Sequence, residues 1–360
     1  MARIDPQSAD EPVWARTVYP VHGSDRWAVR ERGYTRFLEG PSAVRSALRR
    51  WVPAQALLVG EPGAPRFHLP TEIEGDGVSR TAQRAAFRNC LLITSMFFLA
   101  GVPGVVFAAW VRFFDSEGYW GSLGLVVCGL IQLCDVRFHI SRPHNLQQRA
   151  EFFYWLYRES RASRGAGVCM AMLILMGGLQ WWAIQSGGGV TAAFESYGLF
   201  YGRVAEGETW RLLTGPYLHY SVGHFALNAF LFVLLGALAW AFRGSLCLLV
   251  FVAGCSVSLT AQMLFGGDVY DNAGGISGGV YALAGLALGG TLTPSARLPP
   301  GLASQLLVIV LLSTLLAELG SESAATVAHF SGLGFGLLVG AALACSGRYG
   351  QRSAATETVG

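Results

Sequence analysis

From residue 86 onward the chain alternates long apolar runs with short polar, arginine-bearing stretches, whereas residues 1–85 mix polar and apolar positions without any such run. A membrane-spanning helix needs about 20 largely apolar residues to cross roughly 30 Å of hydrocarbon. By that measure the pattern predicts eight spans, at 89–111, 119–135, 165–185, 222–242, 245–265, 275–293, 303–319 and 324–346. The second is short and carries Gln132; the first contains Pro103, which a packed membrane helix tolerates. Within residues 1–85, Pro41 and Ser42 precede a short amphipathic stretch at 43–51, which reads as a capped helix. The stretches 56–59 and 67–69, bounded by Gly and Pro, read as strands. The predicted organisation is therefore a small soluble α+β domain at 1–85, two membrane helices with a basic linker at 86–164, six further helices at 165–346, and a tail at 347–360.

Composition supports this class. Of 360 residues 52% are hydrophobic and 14% charged, against about 25% charged in a typical soluble domain, and the mean hydropathy is +0.41. That much apolar surface excludes a disordered chain. All 26 cationic residues are arginine, the net charge is only +3, and no basic stripe interleaved with aromatics points to nucleic acid. The seven cysteines form no CxxC pair and sit in or beside apolar runs, so they read as small buried hydrophobes rather than disulfides or metal ligands. No metal or organic cofactor is expected.

Loop arginines orient a polytopic chain. Arg80, Arg84 and Arg88, six arginines between 136 and 164, then Arg243, Arg297, Arg348 and Arg352 fall on one side of an eight-span arrangement. Glu195, Glu206, Glu208, Asp268, Asp271, Glu318 and Glu322 fall on the other, with only Arg203 and Arg211. Both termini are then expected to be cytoplasmic. Residues 1–85 hold no apolar run of signal-peptide length, which fits a bacterial plasma membrane.

His219, His224 and His329 lie in or beside predicted spans, where a polar or titratable group is costly and marks a site by default. Ser277, in the sequence Gly275-Ile276-Ser277-Gly278, opens the span at 275–293. Flanking glycines clear room for a substrate backbone, and a helix N-terminus presents free N–H groups to a developing oxyanion. A glycine-rich helix-packing face produces the same four residues. Topology separates the two readings. The spans holding Ser277 and His329 enter the membrane from the same side, with His329 about five residues in, roughly 8 Å deep. His224 and Asn228, at i and i+4, project from one face of a third helix near the same level. Tyr281 lies one turn after Ser277, placed to stack on His329. Gly332, Gly336 and Gly340 follow His329 at four-residue spacing, a stripe that lets two helix backbones approach.

Together these residues resemble the rhomboid intramembrane serine proteases over about 165–346. Trp210-Arg211 is similar to the family's Trp-Arg motif. His219, with His224 and Asn228, is similar to its second-helix pattern; Gly275, Ser277 and Tyr281 resemble the nucleophile motif, and His329, Gly332 and Gly336 the catalytic-histidine helix. The resemblance implies a six-helix core with a Ser277–His329 dyad and no acidic third member. It implies an oxyanion hole of the Ser277 N–H with the side chains of His224 and Asn228. Substrates would then be transmembrane proteins whose helices unwind near the outer face of the lipid bilayer. Residues 210–214 also resemble rhombosortases, which process C-terminal sorting signals, although Tyr281 is as in ordinary rhomboids. A rhomboid-like protein that binds transmembrane clients without cutting them is the alternative from another class, and the presence of both Ser277 and His329 argues against it. A transporter would call for mid-membrane carboxylates or two interrupted repeats, and neither is evident.

Overall fold

A computed structural model describes residues 11–112, 117–266, 271–320 and 326–346. Asp268, Glu322, Arg348, Arg352 and the tail at 347–360 lie outside the described residues. The chain divides into two units, Met1–Glu159 with Leu298–Leu315, and Ser160–Arg297 with Leu316–Gly360.

In the first unit, β1 (Trp27–Glu31) and β2 (Tyr34–Leu38) form an antiparallel hairpin, and β3 (Leu58–Gly60) pairs with the other edge of β1, giving the order β2-β1-β3. The hairpin loop is Arg32-Gly33, with both residues at positive φ (49° and 91°), the handedness that matches strand twist in a two-residue turn. The helix anticipated at 43–51 is α1 (Pro41–Ala47) followed by one 3₁₀ turn, Leu48–Arg50. It stops early because Val52 precedes Pro53 and is extended (φ −134°, ψ 150°). At 67–69 there is a single bridge, Val59 to His68, rather than a strand.

The long helix α2 (Val78–Val111) has 34 residues, roughly 51 Å at 1.5 Å per residue. It therefore serves two environments. Its first turns place Val78, Ala82, Ala85 and Ala86 in the core of the N-terminal sheet, while the remainder is apolar on its exposed faces. Helix α3 (Glu117–Asp135) packs on α2 where Gly101 and Gly104 leave room for Ser122. A π-turn (Val136–Ile140) leads into α4 (Pro143–Arg158), so the arginine-rich stretch between the second and third spans is folded. Leu146, Ala150 and Tyr154 of α4 join the N-terminal core. Arg149, 5% exposed, donates to Asp135 Oδ2 (2.9 Å) and to the Pro300 carbonyl (2.8 Å). Gln305, at the start of α12 (below), donates to Asp135 (2.9 Å) and exchanges bonds with Gln132 (2.6 and 3.2 Å). Gln132, the polar residue that made the second predicted span unusual, is thus satisfied within the unit.

The second unit runs α5 (Ala162–Gly187), α6 (Val190–Tyr197), β4 (Leu199–Phe200), α7 (Tyr201–Ala205), α8 (Arg211–Thr214), α9 (Val222–Arg243), α10 (Leu246–Phe265), β5 (Asn272–Ala273) and α11 (Ser277–Gly290). After α12 (Leu302–Gly320), most of which belongs to the first unit, α13 (Thr326–Cys345) completes it. Among the described residues six helices are long and apolar enough to cross a membrane; the described apolar stretches Ser277–Gly290 and Leu302–Thr314 are shorter. The chain is a mostly helical, multi-pass membrane protein with a small N-terminal sheet. The span expected at 275–293 is shorter because Gly275 is left-handed (φ +105°) and Pro294 follows at the other end. Cys134 and Cys345, expected to be buried, are exposed; four of the other five are buried.

Helix α11 is the core of this unit, with Ser277–Ala287 buried throughout. Its contact with α13 is backbone to backbone. A Cβ at Gly332 would fall on the Gly278 carbonyl, one at Gly336 on the Ala282 carbonyl, and one at Gly285 on the Leu333 carbonyl. Gly336→Leu is therefore expected to destabilise the protein by about 3 kcal/mol or more through overpacking. Gly334→Leu, on the same helix with open space around it, should be neutral, and unfolding in detergent compares the two.

Candidate active site

Ser277 is the first residue of α11 and is 8% exposed. Its Oγ lies 2.9 Å from Nε2 of His329, which is 4% exposed on the first turn of α13. Both residues sit at helix starts on the same side of the unit, and the glycine contacts below them set the spacing. Tyr281 stacks on His329, with ring centroids 4.5 Å apart and planes 12° from parallel. The other ring nitrogen, His329 Nδ1, has no hydrogen-bond partner among the described residues. Among the described residues no carboxylate therefore orients the imidazole; the tyrosine face and the helix do.

Gly275 joins the nucleophile to α9. A Cβ there would come within 2.7 Å of the His224 ring and 3.5 Å of Asn228 Nδ2. Only a residue without a side chain lets the backbone before Ser277 lie against both groups, and the positive φ favours glycine for a second reason. Asn228 is 4% exposed, and its Nδ2 has no partner among the described residues. His224 is held by its helix cap, its N–H donating to Ser221 Oγ (3.1 Å). His219, fully buried, packs edge-on to His224 (5.1 Å) and to Phe225 (5.0 Å), and its Nε2 accepts from Ile276 N at 3.5 Å. Burial, reinforced by the neighbouring His224, pushes the His219 pKa down to about 3, so its ring is neutral.

Trp210 and Arg211 lie in the loop before α9 rather than beside Ser277. Arg211 is 2% exposed; it donates to the Gly198 carbonyl (2.7 Å) and to Glu208 (2.6 Å), and its guanidinium lies over the Trp210 ring. Thr214 Oγ1 donates to the Tyr197 carbonyl (2.8 Å). These bonds close the loop on itself, and β4 then pairs with β5, Leu199 opposite Ala273, which fixes the strand leading to Gly275 and Ser277. Tyr220 adds a bond from its hydroxyl to Asn272 Oδ1 (2.5 Å) while stacking on Phe194.

Two contributors escaped the sequence reading. Gln262 of α10, 5% exposed, accepts from Ala328 N (3.1 Å) and so caps the helix start next to His329. Ser258, one turn earlier, sits where a Cβ on Gly278 would be. The signal was present: both are polar positions inside an apolar run.

The arrangement provides a hydroxyl hydrogen-bonded to an imidazole, and, beside Gly275 two residues before that hydroxyl, an amide donor with no partner among the described residues. Arg211→Met should leave the buried Gly198 carbonyl unpaired, at a cost of about 1–3 kcal/mol, read as a lower thermal midpoint and faster amide exchange across 198–215. Residues 206–346 match the family model described as Rhomboid domain. No curated protein matches the chain.

Proposed function

From the match of residues 206–346 to the Rhomboid domain model, we propose that the chain is an intramembrane serine endopeptidase acting through Ser277 and His329. The observation that carries this reading is the 2.9 Å bond between Ser277 Oγ and His329 Nε2 at a buried pair of helix starts. A serine hydroxyl is a weak nucleophile until an adjacent base takes its proton. His329 accepts that proton as Oγ bonds to the scissile carbonyl carbon. The carbonyl oxygen becomes an oxyanion beside the Ser277 N–H, His224 and Asn228, which in this reading are its donors. Collapse of the tetrahedral species breaks the C–N bond, and His329 returns the proton to the leaving amine. Water then repeats the sequence on the acyl-enzyme and releases Ser277.

The substrates in this reading are transmembrane proteins. Their scissile segment must leave its helix to present a backbone carbonyl to Ser277, so small or helix-breaking residues near the outer face favour cleavage. In this reading the chain lies in a bacterial plasma membrane with both termini cytoplasmic, as the loop arginines suggest.

Labelling of the detergent-solubilised protein with a fluorophosphonate tests the reading. Wild type should react, and Ser277→Ala and His329→Ala should not. His224→Ala and Asn228→Ala should each lower peptide-bond cleavage about 10²–10³-fold, the effect of removing one oxyanion donor. A folded wild-type protein that stays unlabelled would overturn the protease reading and favour a client-binding role.

A further inference from the structure

Helix α5 lies outside the family-matched segment 206–346, yet one of its side chains holds the backbone at the edge of the site. Gln180 Nε2 donates to the His219 carbonyl (2.7 Å), and Gln180 Oε1 accepts from the His219 N–H (3.2 Å). A single side-chain amide thus satisfies both backbone groups of one residue. His219 needs this, because it is fully buried in a non-helical stretch between the Gly215–Tyr217 turn and the cap of α9. Residues without a helix or sheet partner must find one elsewhere when buried. The ring of His219 continues inward, packing on His224 and accepting from the N–H of Ile276, the residue immediately before Ser277.

Resting on the reading of Ser277 above, we infer that Gln180 is a positioning residue for the nucleophile. It acts through His219 on the Ile276–Ser277 backbone and on the His224 ring. The two reciprocal bonds fix where the His219 backbone sits, and the imidazole transmits that position across the loop. The first helix of this unit is thereby part of the catalytic apparatus rather than only its wall. A glutamine that merely joined α5 to the loop would affect stability alone. A positioning glutamine affects how fast Ser277 reacts once a reagent is bound, because misplacement of the hydroxyl lowers the first-order step rather than binding.

The test compares wild type, Gln180→Met and Leu173→Ala. Methionine preserves most of the volume and removes both hydrogen bonds. Leu173 is buried on the same helix, so its truncation loosens packing without touching His219. With an alkyl fluorophosphonate as probe, Gln180→Met should lower the first-order rate of Ser277 modification tenfold or more, with the half-saturating probe concentration within twofold of wild type. Leu173→Ala should lose at least as much thermal stability while reacting within twofold of wild type. Amide exchange across 272–282 should accelerate in Gln180→Met alone. A Gln180→Met protein with wild-type rate and wild-type exchange, or equal slowing in Leu173→Ala, would overturn the inference and leave the Ser277–His329 reading intact. Absence of labelling in wild type would instead overturn that reading, and the exchange comparison would still decide whether Gln180 holds Ile276.

Discussion

The close approach of α11 and α13 is the constraint on which the site depends. A hydrogen bond between a serine on one helix and a histidine on another requires the two axes to run nearer than ordinary side chains permit. Here glycines on both helices meet carbonyls of the other, Gly332 against Gly278, Gly336 against Ala282 and Gly285 against Leu333. In a bilayer, where lipid is as apolar as leucine, such packing supplies the association that hydrophobic burial cannot. The spacing that brings Ser277 Oγ to 2.9 Å from His329 is therefore set several turns along both helices, in residues that carry no chemistry. Tyr281 and Gln262 refine it, one by stacking on the imidazole and one by capping the helix start beside it.

Around this helix pair the polar work is done by loops. Arg211 closes the segment before α9 on itself, β4 pairs with β5, and Tyr220 is bonded to Asn272. All three act on the strand that delivers Gly275 and Ser277. Gly275 is the junction, since its missing side chain is the space that His224 and Asn228 occupy. Arg211 thus acts in the segment before α9, while α9, α11 and α13 bring His224, Asn228, Ser277 and His329 to the site.

Much of the helical frame was legible because membrane spans are read from length and apolarity alone, and each predicted span has a helix. Ser277, His224, Asn228 and His329 were legible as polar positions in apolar surroundings, with span orientation and helical rise placing them near one depth. What escaped was set by tertiary contact. The β1–β2 hairpin turns on Arg32-Gly33, which lacks the Asn or Asp that usually marks such a turn, and β2 is almost wholly exposed, so no alternation announces it. Helix α4 was hidden because its buried face includes Arg149, whose charge is met by Asp135 fourteen residues earlier. Gln262 and Gln180 look like interruptions of apolar runs until the backbone groups they satisfy, Ala328 N and both amide groups of His219, are seen beside them.

The central claim is that the packing of α11 on α13 builds a reactive serine beside a histidine base, with the amide of Asn228 and the ring of His224 at the oxyanion position. An experimentally determined structure of the fluorophosphonate-treated protein tests it most directly. The account predicts phosphorus bonded to Ser277 Oγ, the phosphoryl oxygen within hydrogen-bond distance of Asn228 Nδ2 and the His224 ring, and Tyr281 still stacked on His329. Modification at any other residue, or a phosphoryl oxygen turned away from Asn228 and His224, would contradict it.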